Sequence, residues 1–121
     1  MMLGGAGGAL ARYMLQLVAF RLGLSSQIAI LAVNVSGSFV LGFLLSFWLT
    51  KSSYPPGLQL LAAVGFLGSY TTFSTLMWES FRSAQSGSIL MALLNITGSV
   101  AAGLVAVALG FLAGRLLGQI A

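Results

Sequence analysis

Four long apolar stretches constrain what this chain can fold into. A helix that crosses a bilayer needs about 20 mainly apolar residues, and such stretches cover residues 3–22, 28–49, 58–81 and 88–117. Short connectors rich in Ser, Gly and Pro separate them, so that each helix runs antiparallel to the one before it. No segment alternates apolar and polar residues as a membrane β-strand does. The sequence therefore predicts one all-α integral membrane domain over residues 1–121.

Charged residues are too scarce for a soluble domain. They make up 5% of the chain, whereas about a quarter is usual. The sequence has no His or Cys and a single carboxylate, Glu79, which excludes a catalytic triad, a carboxylate pair and a transition-metal cluster. We therefore expect no enzyme. The net charge of +4 comes from five scattered Lys and Arg residues, a pattern that gives no support for nucleic-acid binding.

The basic residues outside the spans are balanced between the two sides of the membrane. Arg21 and Arg82 belong to the first and third connectors, whereas Lys51 and Arg115 belong to the opposite side. The positive-inside bias that orients most membrane proteins is close to zero here. Such a chain can insert in both orientations, and two oppositely inserted copies could form an antiparallel homodimer. Alternatively, counts this small decide nothing, or the N-terminal amine tips the balance.

Each span carries a polar feature at depth. Arg12 lies near the middle of the first span, Asn34 lies in the second and the run 68–75 lies in the third, while Asn95 and Ser99 share one face of the fourth. A single hydroxyl could bond to its own helix, and an Asn could join two helices. A costly polar group in every span instead favours a transport pathway. Because these groups are mostly hydrogen-bond donors, they suit an anion or a neutral polar solute.

The run "GSYTTFSTL", Gly68–Leu76, predicts a break in the third helix. Irregular backbone in a bilayer survives only where it is buried in protein or lines a cavity. Unwinding would free carbonyl oxygens that could hold a monovalent cation such as Na⁺. The alternative is a kink whose carbonyls bond to threonine hydroxyls. Phe73 could turn its ring edge to an anion or pack in the core.

Small residues spaced four apart predict close helix contacts. The pairs are Gly4 and Gly8, Ser38 and Gly42, Ser99 and Gly103, and Gly110 and Gly114. For most of them ordinary packing is the simpler interpretation. The sixteen glycines of the chain indicate a compact bundle without a wide pore.

Three motifs, "GGAGGALARY" (Gly4–Tyr13), "VNVSGSFVLGF" (Val33–Phe43) and "GFLGSYTTFSTL" (Gly65–Leu76), resemble the signature motifs of the Fluc, or CrcB, fluoride channels. The resemblance covers essentially the whole chain. It implies a dual-topology antiparallel homodimer in a bacterial inner membrane, with two narrow pores that export fluoride passively. It also implies a structural Na⁺ held by the main-chain oxygens of Gly68 and Thr71.

The same resemblance implies which residues line the ion path. By their positions in the motifs and on the fourth helix, these are Arg12, Asn34, Thr72, Phe73, Ser74, Thr75, Glu79, Asn95 and Ser99. The family usually has a second phenylalanine three residues after the first, where this chain has Leu76. Leucine has no polar edge, so that Leu76 either alters conductance or selectivity or acts as a hydrophobic wall.

Two other functions compete with a channel. A small multidrug transporter also has four helices, but it needs a carboxylate deep in the bundle. The first span carries Arg12 instead, and Glu79 lies near a helix end. A non-transporting membrane subunit would need only the small-residue strips, and it leaves Arg12, Asn34 and Asn95 unexplained.

Overall fold

The computed structural model describes residues 1–50 and 55–120, which form helices and short turns without a strand. The third predicted span is divided into four consecutive segments around a break at residues 71–72. The elements are α1 (Met2–Arg21), α2 (Ser26–Thr50), α3 (Pro56–Gln59), a π-helical segment (Leu60–Leu67), α4 (Gly68–Tyr70), α5 (Phe73–Gln85) and α6 (Ile89–Ile120).

Three helical stretches of the described chain are long and apolar enough to cross a membrane, namely Ser26–Thr50, Pro56–Gln85 and Ile89–Ile120. The remaining long helix, α1, has 20 residues but is less apolar, because it carries Arg12 and Arg21. The prediction of an all-helical, multi-pass membrane protein with four helices is confirmed. The membrane-spanning role of α1 stays a prediction.

Glycines close two of the turns between helices. Gly23 after α1 and Gly87 after α5 have φ angles of 72° and 87°, a left-handed conformation that glycine adopts without a steric penalty. After α1, the N–H of Gly23 bonds to Phe20 and that of Leu24 to Ala19, each at 3.0 Å. This pair of hydrogen bonds ends a helix abruptly, and the same pair occurs after α5. Both connectors are therefore tight turns.

Helix α2 lies at the centre of the bundle, and its Ile30 and Val33 are fully buried. It runs alongside α6 at very short range, along what we call the α2–α6 seam: Gly42, Gly110 and Gly114 with the backbone that they contact. A Cβ on Gly110 would collide with the carbonyl oxygen of Phe39. The seam confirms close contact for these predicted small residues.

A second close contact joins α1 to the π-helical segment. A Cβ on Gly4 would meet the carbonyl oxygen of Leu61, and one on Gly8 would meet that of Phe66. The predicted strip Gly4–Gly8 therefore packs backbone against backbone. The π-helical turn itself was not predicted, because an apolar run such as "LLAAVGFL" contains no signal that separates a π-helix from an α-helix.

Candidate functional site

The break between α4 and α5 is held open by Asn34 of α2. Thr71 and Thr72 are extended, with ψ angles of 156° and 113°. In a continuous helix the N–H of Thr72 would bond to the carbonyl of Gly68, but here it donates to Asn34 Oδ1 at 2.8 Å. Asn34 Nδ2 in turn donates to the Thr72 carbonyl at 3.1 Å. One side-chain amide thus replaces helical partners on both sides of Thr72.

Thr72 also restarts the helix. Its hydroxyl oxygen accepts the N–H of Thr75 at 3.3 Å, which makes it the N-cap of α5. That N–H would otherwise bond to the carbonyl of Thr71. The carbonyls of Gly68 and Thr71 have therefore both lost their usual helical donors to side chains.

These two carbonyls are the ones that the motif resemblance implies for Na⁺. The described residues contain no group of three or more His, Cys, Asp or Glu side chains that could hold a metal ion. Main-chain oxygens suit a hard monovalent cation, and the diverted N–H groups leave both oxygens available. The residues present fit the implied ion, although one chain supplies few ligands.

A cavity of about 470 Å³, which we call the groove, lies beside the break. It is bounded by α2, the π-helical segment, the break, α5 and α6. Its polar lining residues are Asn34, Ser38, Thr71, Thr72 and Ser99. No carboxylate is among the described residues that line it.

Phe73 and Leu76 form part of the apolar lining of the groove. The ring of Phe73 is 71% exposed, whereas Leu76 is 5% exposed. Core packing therefore does not account for Phe73 within one chain. Leu76 has the surroundings of a hydrophobic wall, which is one of the two roles considered for this departure from the family pattern.

A second cavity, of about 290 Å³, lies on the other side of the first turn of α5. It is lined by Gln16, Phe20, Leu24, Ser26, Ala29 and Thr75. The hydroxyl of Thr75 lies 2.8 Å from that of Thr72, which lines the groove. The two cavities therefore meet at a hydroxyl pair.

Glu79 lies midway along α5, and not near a helix end as the sequence suggested, because α5 continues to Gln85. It lines neither cavity. Its carboxylate accepts a hydrogen bond from the Ser26 hydroxyl at 3.1 Å and forms an ion pair with Arg82 at 3.6 Å. The Ser26 contact ties the start of α2 to α5. Glu79 thus stabilises this end of the bundle, and a role in the ion path stays a prediction.

Asn95 and Ser99 share a face of α6 but have different surroundings. Asn95 Nδ2 donates to Ser80 Oγ at 2.8 Å, and Ser80 Oγ donates to the Leu76 carbonyl at 2.8 Å. Asn95 therefore joins α6 to α5 and lines neither cavity, whereas Ser99 is 7% exposed and lines the groove.

The remaining predicted residues lie around these cavities. Arg12 is half-buried, makes no hydrogen bond or ion pair within residues 1–50 and 55–120, and lines neither cavity. The exposed Ser74 has its hydroxyl 3.4 Å from that of Thr72. Two groove or cavity residues, Ser38 and Gln16, were missed as functional candidates. The spacing of four residues between Asn34 and Ser38 was the available signal.

The fold and the groove define a class: a small helical membrane protein with a donor-lined cavity beside a broken span. A family model described as "CrcB-like protein, Camphor Resistance (CrcB)" matches residues 1–111. The chain therefore belongs to the CrcB-like family, which confirms the resemblance inferred from the three motifs.

Curated relatives are similar over most of the chain. A protein of Methylobacterium sp. (strain 4-46) is 42% identical over 107 residues, which are 88% of this chain and 86% of the relative. One of Solibacter usitatus is 40% identical over 114 residues, 93% of each chain. One of Magnetococcus marinus is 42% identical over 116 residues, covering 95% and 94%. All three are named "Fluoride-specific ion channel FluC".

Proposed function

We propose that this protein is a fluoride channel, not an enzyme, and that it lets fluoride leave the cytoplasm down its gradient. The names of its relatives support the ion. The observation that carries the mechanism is the groove, which places hydrogen-bond donors next to a broken span and contains no lining carboxylate among the described residues. A donor-rich, carboxylate-free lining favours an anion over a cation.

Asn34 has the chemistry to serve the break and the ion together. A side-chain amide has two N–H donors and one acceptor oxygen. The Thr72 backbone uses the oxygen and one N–H. The second N–H has no partner in the described chain and is free to donate to an anion in the groove. The clamp holds this donor in place, because the amide plane is fixed by two bonds to the backbone.

The hydroxyl pair of Thr72 and Thr75 forms the step between the cavities. Within the pair one hydroxyl donates to the other at 2.8 Å, and Ser74 Oγ lies 3.4 Å from Thr72 Oγ1 as a third hydroxyl beside them. An anion arriving from the second cavity would take hydrogen bonds from this pair and then from the groove. Fluoride is small and tightly hydrated, so that several such donors must replace its water.

The assembly we propose is a pair of oppositely inserted copies whose grooves meet. The high exposure of Phe73 beside the break supports it, as does the balance of basic residues. The Ser26–Glu79 bond brings the end of α1, with Arg21, to the same end of the bundle as Arg82. Gly118 packs on Thr50, which brings Arg115 to the other end. Lys51, the fourth residue of this balance, lies outside the described residues.

In this assembly the carbonyls of Gly68 and Thr71 from both copies would hold Na⁺. The ion would supply a positive charge that satisfies several carbonyl dipoles at once. Two copies would supply twice as many carbonyl oxygens as one chain, and so provide the ligands that one chain lacks. The ion is structural in this proposal and takes no part in conduction.

Fluoride efflux from liposomes that contain the purified protein tests the function. Because the lining donates hydrogen bonds to a small anion, we expect rapid fluoride efflux and little chloride efflux under the same gradient. Protein-free liposomes are the control for leak. Equal flux of the two ions, or none of either, would contradict the proposal.

The assembly is tested through its orientation and its ion. The native chain has no cysteine, so that each of two variants carries a single thiol. Ser25→Cys places it at one end of the bundle, and Gln119→Cys places it at the other. An impermeant thiol reagent should label part of each variant from outside intact cells, and labelling of one variant alone would exclude dual topology.

The ion is tested by thermal stability. The purified dimer should melt at a lower temperature in K⁺ than in Na⁺, and equal melting temperatures would exclude the sodium site.

A further inference from the structure

Four serines in the described helices have hydroxyls that make no hydrogen bond in the described chain. A Ser or Thr inside a helix usually bonds to the carbonyl one turn earlier. This is the case for Ser36, Thr71, Ser80 and Thr97. The hydroxyls of Ser38, Ser46, Ser69 and Ser99, in contrast, make no hydrogen bond within residues 1–50 and 55–120.

Two of these four hydroxyls belong to the groove, whereas Ser46 and Ser69 line neither cavity. Ser38 of α2 and Ser99 of α6 line the groove, and Ser99 is more than nine-tenths buried, at 7% exposure. No fully buried side-chain oxygen of the described chain lacks a partner, so that the Ser99 hydroxyl reaches the cavity and is not sealed in the core. The hydroxyl of Ser99 can therefore form a hydrogen bond with a solute or ion that enters the groove.

A glycine on α6 keeps Ser38 accessible. Ser38 Oγ lies 3.6 Å from the place that a Cβ on Gly103 would occupy. Gly103 follows Ser99 by one turn, about 6 Å along the helix axis, and it also lines the groove. The space in front of Ser38 is therefore open because residue 103 has no side chain.

We propose that Ser38 is a residue of the ion path that donates a hydrogen bond to the anion together with Ser99. This inference rests on the proposed fluoride conduction and adds a donor that neither the motifs nor the packing pattern assigned. Asn34 precedes Ser38 by one turn on the same face of α2, so that Asn34, Ser38 and Ser99 offer successive donors from two helices. Because neither hydroxyl bonds to its own helix, the anion receives these bonds without breaking another.

The first test is fluoride efflux through Ser38→Ala. Hydrogen bonds to charged groups contribute enough that losing one should slow the flux about tenfold. Thr97→Val on α6 is the matched control, because that hydroxyl already bonds to the Leu93 carbonyl on an exposed face, and we expect wild-type flux from it. If wild type conducts and Ser38→Ala conducts as well, Ser38 is a packing residue. If wild type itself shows no fluoride selectivity, the proposed function fails instead.

A second test changes the space in front of Ser38 without changing Ser38. A methyl group at Gly103→Ala would lie at ordinary contact distance from Ser38 Oγ, so that the fold should tolerate it while access to the hydroxyl decreases. We expect slower efflux and unchanged elution on size exclusion. Gly98→Ala on the same helix meets nothing within 4 Å and should conduct as wild type does. Equal flux through the two variants would contradict the inference.

A third measurement reports access and not conduction. In a chain without native cysteine, Ser38→Cys should react with a small water-soluble thiol reagent, and fluoride should slow the reaction. Thr97→Cys provides the control on the exposed face of α6. A thiol at position 38 that reacts no faster than one at position 97 would show that the hydroxyl does not face the ion path.

Discussion

The α2–α6 seam and the groove both use small residues of α2 and α6, yet they differ in function. On α2, Asn34 and Ser38 line the groove, and Gly42, one turn later, belongs to the seam. On α6, Gly103 lines the groove and Gly110 belongs to the seam. A stripe of small residues is therefore packing where a neighbouring backbone touches it and a cavity lining where none does.

The two regions also satisfy their backbones differently. In the seam both helices keep their own hydrogen bonds, and the close approach of their backbones favours dispersion and small side chains. At the break, side chains replace helical partners in three hydrogen bonds. The Asn34 amide bonds to both the N–H and the carbonyl of Thr72, and the Thr72 hydroxyl accepts the N–H of Thr75. The seam should therefore be sensitive to added volume, and the break to lost hydrogen bonds.

The largest effect should come from adding volume to the seam. In Gly110→Ala the new methyl group would collide with the carbonyl oxygen of Phe39, with Phe43 N at 3.0 Å. Backbone atoms cannot move aside as a flexible side chain can, so that α2 and α6 must separate. We expect little or no folded protein on size exclusion after purification.

Gly98→Ala makes the same chemical change on the same helix, in open space. An alanine inside a helix gains up to about 1 kcal/mol over glycine from propensity alone, and this gain is common to both variants. The difference in folded yield between the two variants therefore reports the effect of the backbone contact at Gly110. Stable, monodisperse Gly110→Ala protein would show that the seam is looser than the structure indicates.

Much of this fold could be predicted from hydropathy. The length of the apolar runs gives the helices, and the polar run after Gly68 gives a break, since lipid offers no partners to irregular backbone. The turn glycines Gly23 and Gly87 end α1 and α5 where the connectors were expected. The π-helical segment Leu60–Leu67, which packs against Gly4 and Gly8 of α1, could not be predicted, because its apolar run contains no local signal that separates a π-helix from an α-helix.

The site was less predictable, because its bonds join distant segments. The Asn34–Thr72 clamp links residues 38 apart in sequence, and no local pattern indicates such a pair. Asn95 and Ser99 have the same face and similar polarity, yet one bonds to Ser80 and the other faces the groove. Ser38 was predicted as packing because it precedes Gly42 by four residues, a spacing that cannot tell a contact from a cavity.

A smaller effect should come from removing the clamp at the break. Leucine has the same number and branching of heavy side-chain atoms as asparagine, so that Asn34→Leu removes both bonds to Thr72 while keeping the outline of the side chain. It leaves the N–H and carbonyl of a residue that is 5% exposed without partners, at a cost of about 1–3 kcal/mol for each group. We expect a lower free energy of unfolding in detergent and loss of fluoride efflux, because the free donor of Asn34 is lost as well.

Asn95→Leu separates the role of the clamp from a general need for buried asparagine. It also removes one amide from a helix interface, but Ser80 Oγ keeps its bond to the Leu76 carbonyl, so that no buried backbone group loses its partner. Interhelical side-chain bonds of this kind contribute about 0.6 kcal/mol on average, and the loss of stability should be correspondingly smaller than for Asn34→Leu. Equal losses for the two variants would mean that the extended backbone at Thr72 does not depend on Asn34, and that the break is held by the Thr72–Thr75 cap alone.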